Sequence, residues 1–501
     1  MLLSEPLKSS TRAGPLPLVD GALLAAVLLL VAWGALAFGA VYPWAYTPLF
    51  WTAALVGVAT YWRARAINSR SPSALIVLAL LTLVALAALG QTVPLPDRVR
   101  LRLSPATESF LRQVDVGYAA AVTARDQGLT TGAPVAPRPL SLNPASTTRG
   151  VLMLGSLLLL LTGLIRFFGQ VGLVRLTAWA IGLGVLLAVI GIVQKALLGD
   201  HAFAGMKIYG FWEPRYKLTT PFGPYVNRNH YAGWMVMALP LAIGYLLALT
   251  DSWLRRGRRG WRDRLLALSS PEGARIQLVA FAIVLMGSAL ALTMSRSGIA
   301  CFVLASLLAA VVGTRGARSF LARAGLSAAL LVLVAAAFAW ADVDVAKRFT
   351  SGGQSIELRR QAWTDAAAII RDFPLVGTGL NTYGTATLTY KTARTDLHFQ
   401  EAHNDYLQLA AEGGLLLGIP ALLAVVFCVR AIRRRFVEDA QRPASYWLRF
   451  GASMGLLAIA LQSIVEFSLQ LPGNAVFFVV LLAAALHRTP PDPRSGAHPN
   501  P

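Results

Sequence analysis

The sequence has 501 residues, of which 56% are hydrophobic and only 14% are charged, so it carries more apolar surface than a soluble domain can bury. Its 45 lysines and arginines against 24 aspartates and glutamates give a formal net charge of +21. Because the arginines flank apolar runs, we interpret them as topology signals and expect no nucleic-acid partner. The two cysteines, Cys301 and Cys428, lie inside apolar runs and imply no disulfide or metal framework.

Apolar runs of membrane-spanning length follow one another along the chain. A bilayer core takes roughly 20 residues of helix. The first run is too long for a signal-peptide core and lacks a convincing cleavage site, so we expect it to remain as a helix. The predicted spans are 18–39, 47–62, 74–94, 149–168, 171–194, 230–249, 276–294, 297–313, 324–341, 410–429, 448–468 and 473–487. They predict an all-α polytopic membrane protein of about 12 transmembrane helices, with residues 1–501 forming a single membrane domain.

Basic residues in the short loops predict the orientation, because positive charge is retained on the cytoplasmic side of a membrane. With the N-terminus inside, the cytoplasmic loops carry Arg63, Arg65, Arg70, Arg166, Arg175, Arg255, Arg256, Arg258, Arg259, Arg262, Arg264, Arg275, Arg315, Arg318, Arg323, Arg430, Arg433, Arg434, Arg435 and Arg442. We therefore predict that both termini are cytoplasmic. The three long polar segments, 95–148, 195–229 and 342–409, are then outside.

The segment 342–409 is the richest of the three in polar residues. Its sequence predicts a helix around residues 357–371, a turn at Gly377 and Gly379, and an extended stretch to His398. Helices interrupted at membrane depth need protein or a water-filled cavity to satisfy the backbone. We therefore expect 342–409 to fold as a lid-like outer loop that contains short helices and covers a cavity.

The first polar cluster lies where an outer loop meets the sixth span. It reads Asn227, Arg228, Asn229, His230 and Tyr231. Histidine and tyrosine here could simply anchor the helix at the interface. An arginine between two amides is harder to explain in that way, because a cation at a lipid boundary usually needs an anion.

The second cluster, Ser295, Arg296, Ser297 and Gly298, forms the whole connection between the seventh and eighth spans. In so tight a turn Arg296 either reaches lipid headgroups or points into the helix bundle and binds an anion. Arginine suits phosphate because its planar guanidinium donates two parallel hydrogen bonds and stays charged.

The third cluster runs from Glu401 to Gln408 and contains His403, Asn404 and Asp405. A histidine among polar neighbours at a membrane boundary is a candidate general base. The alternative is a histidine satisfied by headgroups or backbone. His403 and Asp405 make a poor metal site because no further ligand follows at a suitable spacing, so we expect no metal.

Two weaker signals remain. Gly377, Thr378 and Gly379 resemble a phosphate loop only superficially, since no strand precedes them, and we interpret them as a backbone turn. Glu466 and Gln462, near the outer end of the eleventh span, could face the cavity, but the sequence gives them no role.

These clusters, in this order and on this topology, resemble the O-antigen ligase and polysaccharide polymerase family of bacterial inner membranes. The resemblance is strongest from 193 to 418 and is most specific in the His-Asn-Asp-Tyr-Leu-Gln run at 403–408, followed by Glu-Gly-Gly at 412–414. Its other motifs are Asn-Arg-Asn-His-Tyr-Ala at 227–232, Ser-Arg-Ser-Gly at 295–298, and Arg360, Trp363, Pro374, Gly377 and Gly379. The first five spans resemble the family only in hydropathy and in Pro94, Leu95 and Pro96 at the end of the third span.

The resemblance implies a metal-independent glycosyltransferase without a cofactor, active at the periplasmic face in lipopolysaccharide or polysaccharide biosynthesis. Its donor would be a glycan on undecaprenyl diphosphate. By position, Arg296 would hold the diphosphate, Arg228 would be a second phosphate contact, and His403 would activate the acceptor. Arg215 or Lys217, in the same outer loop as Arg228, could serve in its place. Further expected substrate contacts are Asn229, Asn404, Asp405 and Arg360, with Arg359 as an alternative to the last.

The acceptor is left open by the residues. We favour transfer to lipid A-core by an O-antigen ligase, with inversion at the anomeric carbon. A polymerase that extends the growing glycan uses the same motifs, and a ligase that glycosylates protein is a third variant. A transporter or flippase for the lipid-linked glycan would instead need charged residues at midplane depth and internal repeats. A purely structural scaffold would leave the outer arginines and histidine unexplained.

Overall fold

The fold is nearly all helical. The computed structural model describes residues 16–65, 72–128, 137–198, 207–214, 220–254, 269–312, 353–392 and 398–489. Within these ranges there are sixteen α-helices and no strand. The helices are α1 (Leu18–Leu36), α2 (Pro43–Ala64), α3 (Pro72–Gly90), α4 (Asp97–Leu103), α5 (Ala106–Val114), α6 (Val116–Asp126), α7 (Pro144–Val171), α8 (Val174–Leu198), α9 (Arg228–Leu254), α10 (Pro271–Leu292), α11 (Arg296–Val312), α12 (Gly353–Asp372), α13 (Tyr383–Tyr390), α14 (Asp405–Glu438), α15 (Pro443–Gln462) and α16 (Pro472–Leu486).

The prediction of an all-α polytopic membrane protein is confirmed. Eight helices are long and apolar enough to cross a membrane, namely α1, α3, α7, α8, α9, α10, α14 and α15, and α11 and α16 contain shorter apolar stretches. Eleven of the predicted spans coincide with helices, and the remaining one, 324–341, lies outside the described residues.

Two local predictions need correction. The eleventh span was expected to reach residue 468, but α15 ends at Gln462. The stretch after Gly379 was expected to be extended, but Tyr383–Tyr390 is helical, because Tyr383, Ala386 and the neighbouring Thr387 bury one face against α12 and α14. The helix expected around residues 357–371 is present as α12.

The centre of the bundle is α9, which packs against α8, α10, α11, α15 and α16. Its contact with α15 is close because α15 carries glycines there. A Cβ at Gly451 would lie 2.6 Å from the Pro240 carbonyl oxygen, and one at Gly455 would lie 2.7 Å from the Met237 carbonyl oxygen. Close backbone approach through small residues is a common way for membrane helices to associate. Close backbone packing therefore fixes α9 against α15.

A break in α14 anchors the segment that follows α12. Gly414 has φ +53° and ψ −151°, so the helix is interrupted there. The freed backbone groups are satisfied by the 374–379 segment: the amides of Leu415 and Leu416 donate to the carbonyls of Pro374 and Leu375 at 2.9 Å. Polar backbone at such an interruption needs protein partners. The break thus holds α12 and α13 on the end of the bundle where α14 begins.

The same segment explains the glycine motif. Gly377 and Gly379 have φ values of +66° and +108°, and a Cβ on Gly377 would collide with the backbone of Glu412. The amide of Gly379 donates to the Glu412 carbonyl at 2.9 Å. The prediction of a backbone turn, and not a phosphate loop, is confirmed.

Candidate functional site

The site forms around Glu466, in the connection between α15 and α16. The side chain is fully buried, with 0% exposure. Its Oε1 accepts a hydrogen bond from Asn229 Nδ2 at 2.7 Å and also pairs with the Arg359 guanidinium. The backbone of α9 joins the same cluster, since Gln462 Nε2 donates to the Asn229 carbonyl at 3.2 Å. One carboxylate therefore ties together α9, α12 and the end of α15.

His403 lies beside the other carboxylate oxygen. Its Nδ1 lies 3.8 Å from Glu466 Oε2, and its ring packs edge-on against Phe467 with centroids 4.8 Å apart. The ring of His230 contacts the same phenylalanine at 4.7 Å. The His403 backbone has φ +52°, a conformation that costs a residue with a Cβ about 1 kcal/mol or more. The surrounding contacts hold this histidine in a strained position.

Asn404 and Asp405 position the histidine. Asn404 caps α14, because its Oδ1 accepts from the amides of Tyr406 and Leu407 at 3.0 Å each. The Asp405 amide donates to the Ser463 carbonyl at 2.9 Å, and Asp405 Oδ1 accepts from Gln470 at 3.2 Å. The chain next to His403 is thereby fixed to the connection that carries Glu466. The structure shows these two residues in positioning contacts, whereas the sequence predicts substrate contacts for them.

Arg228 and Arg296 each begin a helix, α9 and α11 respectively, and both are partly buried. The two helix starts are neighbours, because a Cβ on Gly298 would lie 2.6 Å from the Ala232 Cβ. The N-terminus of a helix carries partial positive charge, so a cation in the first turn is unfavourable and an anion is favourable. Two arginines at adjacent N-termini make a place where an anion would be stabilised.

The remaining predicted contacts are placed elsewhere. Arg360 lies on the exposed side of α12 with 68% of its side chain accessible, and it pairs with Glu357 at 2.7 Å. Its neighbour Arg359 is the residue that reaches Glu466. Arg215 and Lys217 lie outside the described residues, so their predicted role stays a prediction.

A second carboxylate cluster, formed by Glu401, Gln408 and Glu412, lies next to the site. Gln408 Nε2 donates to Glu401 Oε2 at 2.5 Å and to Glu412 Oε1 at 3.2 Å, while Gln408 Oε1 accepts from the Ala402 amide. Glu412 also accepts the amides of residues 381 and 383 at 2.7 and 3.0 Å. This cluster holds the chain just before His403, and the start of α13, against α14.

Glu466 and Glu401 differ in the direction in which their surroundings shift the carboxyl pKa. Burial by itself raises the pKa of a carboxyl, but His403, Arg359 and His230 together lower the pKa of Glu466 below its usual value. Parts of Glu401 reach solvent, yet its carboxyl group lies in the cluster with Gln408, and desolvation raises its pKa to about 8. Glu466 is therefore an ionised group close to His403.

Sequence reasoning assigned no role to Glu466 and left Arg359 as an alternative, although signals for both exist. Glu466 is an acid next to an apolar run, and ionisable residues at such places are often functional. Arg359 lies three residues before Ala362 on the helical repeat that continues through Ala366 and Ile369, all with 0% exposure. That repeat indicates that Arg359, and not Arg360, faces the protein.

No group of three or more histidine, cysteine, aspartate or glutamate side chains that could share a metal ion occurs in the described ranges.

Comparison with known proteins gives one family. Residues 281–422 match the family model described as O-antigen ligase. The match contains the Arg296 turn, α12 and the His403 segment, whereas Arg228 and Glu466 lie outside it. No curated protein matches the chain. The central part of this all-helical membrane fold is therefore similar to the O-antigen ligase family.

Proposed function

We propose that this protein is a periplasm-facing, metal-independent, inverting glycosyltransferase of the inner membrane that transfers a glycan from undecaprenyl diphosphate to an acceptor. One observation carries the proposal. His403 and Asn229, which are 174 positions apart in the printed sequence, meet on the two oxygens of Glu466, next to the helix starts that carry Arg228 and Arg296. A base and two fixed cations are the groups that glycan transfer from a lipid diphosphate requires.

The chemistry follows from these groups. His403 takes the proton of the acceptor hydroxyl, whose oxygen forms a bond to the anomeric carbon while the bond from that carbon to the diphosphate oxygen breaks. The electron pair leaves with the lipid diphosphate, and Arg296 and Arg228 stabilise its growing negative charge. A single displacement inverts the anomeric configuration. Because the guanidinium groups supply the positive charge, the reaction needs no metal ion.

The acceptor proposed is lipid A-core, which makes the protein an O-antigen ligase, and the description of the matching family supports this choice. Mass spectrometry of glycans from a strain that lacks the gene tests it. We expect long glycan chains that are not attached to lipid A-core, restored to the core by the wild-type gene. A single repeat unit on lipid A-core would identify a polymerase instead. Donor retained on the cytoplasmic side would identify a transporter.

Orientation has its own test in spheroplasts. Leu388 in α13 is 64% exposed, and Arg434 near the end of α14 is 66% exposed. In a variant whose native cysteines are replaced by alanine, Leu388→Cys should react with an impermeant maleimide in intact spheroplasts, and Arg434→Cys should react only after lysis. The reverse pattern would place the site in the cytoplasm and overturn the proposed donor.

A further inference from the structure

The two oxygens of Glu466 are used differently. Oε1 accepts from Asn229 and pairs with Arg359, whereas Oε2 is buried and has no hydrogen-bond partner in the part of the chain that the structure describes. A buried carboxylate oxygen without a donor is costly, by about 1–3 kcal/mol. The position of Oε2 therefore needs an explanation beyond packing.

His403 supplies the complementary atom. Its Nδ1 is also buried and without a hydrogen-bond partner among the described residues, and it lies 3.8 Å from Glu466 Oε2. This separation is too long for a hydrogen bond and short enough for an ion pair. Such contacts in enzymes without substrate are often long and shorten when substrate binds. The ring is held between Phe467 and the carboxylate, so a small movement brings the two atoms together.

We propose that Glu466 is the positioning residue of His403, accepting the Nδ1 proton of the imidazole and leaving Nε2 to take the proton of the acceptor hydroxyl. This inference rests on the proposed function, in which His403 is the base. Glu466 has 0% exposure and cannot itself reach an acceptor, whereas 30% of the His403 side chain is exposed although Nδ1 is buried. The accessible part of the ring therefore lies away from Glu466.

The carboxylate has two effects on the reaction. It fixes the tautomer, since an imidazole that donates from Nδ1 presents a lone pair at Nε2. It also stabilises the imidazolium that forms when Nε2 receives the proton. The remaining contacts of Glu466 hold the carboxylate still: Asn229 fixes Oε1 from α9, and Arg359 fixes it from α12.

Other charged and titratable groups also face this carboxylate. They come from α9, α11, α12 and the start of α14, and they are His230, Cys301, Arg359, His403 and Asp405. His230 is buried and packs against Phe467, and Cys301 lies in the short apolar helix α11. Only His403 among them combines a buried nitrogen that faces Glu466 with an exposed part of the side chain.

A double-mutant cycle with the full-length enzyme tests the proposal. The donor is the lipid-linked glycan extracted from the deletion strain, and the acceptor is the lipopolysaccharide core fraction of the same strain. For Glu466→Gln we expect kcat to fall about 10²-fold with an unchanged KM for donor. In the His403→Ala background the same substitution should cause no further loss, because Glu466 acts only through the imidazole.

The pH profile and a binding assay separate this role from a structural one. Without the carboxylate, the acid limb of the Glu466→Gln profile should move to lower pH, because the protonated imidazole loses its negative neighbour. Affinity for undecaprenyl diphosphate, measured alone in detergent, should stay within twofold of wild type. Glu412→Gln is the matched control: it removes a buried carboxylate that accepts backbone amides, so it should lower thermal stability without moving the acid limb.

Three results would overturn the proposal: full turnover by Glu466→Gln, an additive loss in the double variant, or a profile shift in the Glu412→Gln control equal to that of Glu466→Gln. Failure of the proposed function would look different. In that case the wild-type enzyme would not transfer the extracted donor, whatever residue stood at position 466.

Discussion

The two ends of the helix bundle both bury arginine and carboxylate groups, but they use them differently. At the end opposite the site, Arg449 and Asp439 are 0% and 1% exposed. Arg449 Nε and Nη2 donate to Asp439 at 3.0 and 2.7 Å, and Nη1 donates to the carbonyl of Ala485. Arg435 Nε donates to the Leu486 carbonyl at 3.2 Å. Every nitrogen of the Arg449 guanidinium thus has a partner, and the last carbonyls of α16 are capped.

The site around Glu466, by comparison, leaves several buried polar atoms without hydrogen bonds within the described part of the chain. Glu466 Oε2, His403 Nδ1 and His230 Nε2 are buried without hydrogen-bond partners among the described residues, and His403 has a positive φ. Unpaired buried polar atoms and strained backbone reduce stability and are retained where function requires them. The comparison indicates that the Arg449–Asp439 pair serves stability and that the Glu466 site serves the reaction, and each prediction below tests one side of that difference.

The largest loss of stability is expected when the buried pair of Arg449 and Asp439 is broken. Arg449→Ala leaves Asp439 as an uncompensated buried charge, which costs about 3–5 kcal/mol. Thermal unfolding in detergent and the yield of folded protein measure the effect. Glu466→Gln should lower the unfolding temperature much less, because its partner Arg359 is 24% exposed and can be hydrated. Equal losses at the two ends would contradict the division of roles.

Substitutions of Arg296 test whether the site around Glu466 binds a diphosphate. Lysine keeps the charge but not the two parallel donors, so Arg296→Lys should reduce transfer nearly as much as Arg296→Ala, by about tenfold or more. Both variants should be compared at equal expression by transfer of the extracted donor. Wild-type transfer by the lysine variant would indicate that Arg296 only anchors the turn at lipid headgroups.

Adjacent arginines on α12 give a matched pair. Arg359→Gln removes a charge-assisted contact with Glu466 and should lower kcat about tenfold, while Arg360→Gln should stay within twofold because Arg360 is exposed and paired with Glu357. The kcat of each variant is measured from initial rates at saturating donor. A larger loss for Arg360→Gln would support the original sequence prediction that Arg360 contacts substrate.

The smallest effect is expected on the pH dependence of stability, through the carboxylate cluster of Glu401, Gln408 and Glu412. The pKa of Glu401 is raised to about 8, so its contribution to stability is present below its ordinary pKa of 4.5 and is lost as the pH rises through 8. Unfolding temperatures between pH 5 and 9 should therefore fall by a few degrees, about 2 °C per kcal/mol. Glu401→Gln should flatten this dependence. An unchanged slope in that variant would assign the effect to another group.

Hydropathy and arginine alternation were sufficient to predict the helices, because each span is a local property of about 20 residues. The ends were less predictable. The run 448–468 is apolar almost to its end, and only tertiary contacts, such as the Asp405 amide on the Ser463 carbonyl, show that the chain leaves the helix at residue 462. The helix at 383–390 likewise depends on burial of Tyr383 against α12, which no local pattern records.

For the site, sequence motifs located His403, Arg228 and Arg296 but not the residue that connects them. Glu466 lies 63 positions after His403 in the printed sequence, and their contact depends on how α14 and α15 return to the same end of the bundle. Arg359 was within reach of prediction, because the spacing to Ala362 and Ala366 places it on the buried face of α12.

The central claim is that His403 is a base at a site that binds a lipid diphosphate. Turnover and affinity for undecaprenyl diphosphate, measured side by side for wild type and His403→Ala, test it most directly. We predict a turnover about 10²- to 10⁴-fold lower with affinity nearly unchanged, because proton removal contributes to the transition state and not to binding of the ground state. Unchanged turnover, or a loss of turnover that follows a loss of affinity, would contradict the claim.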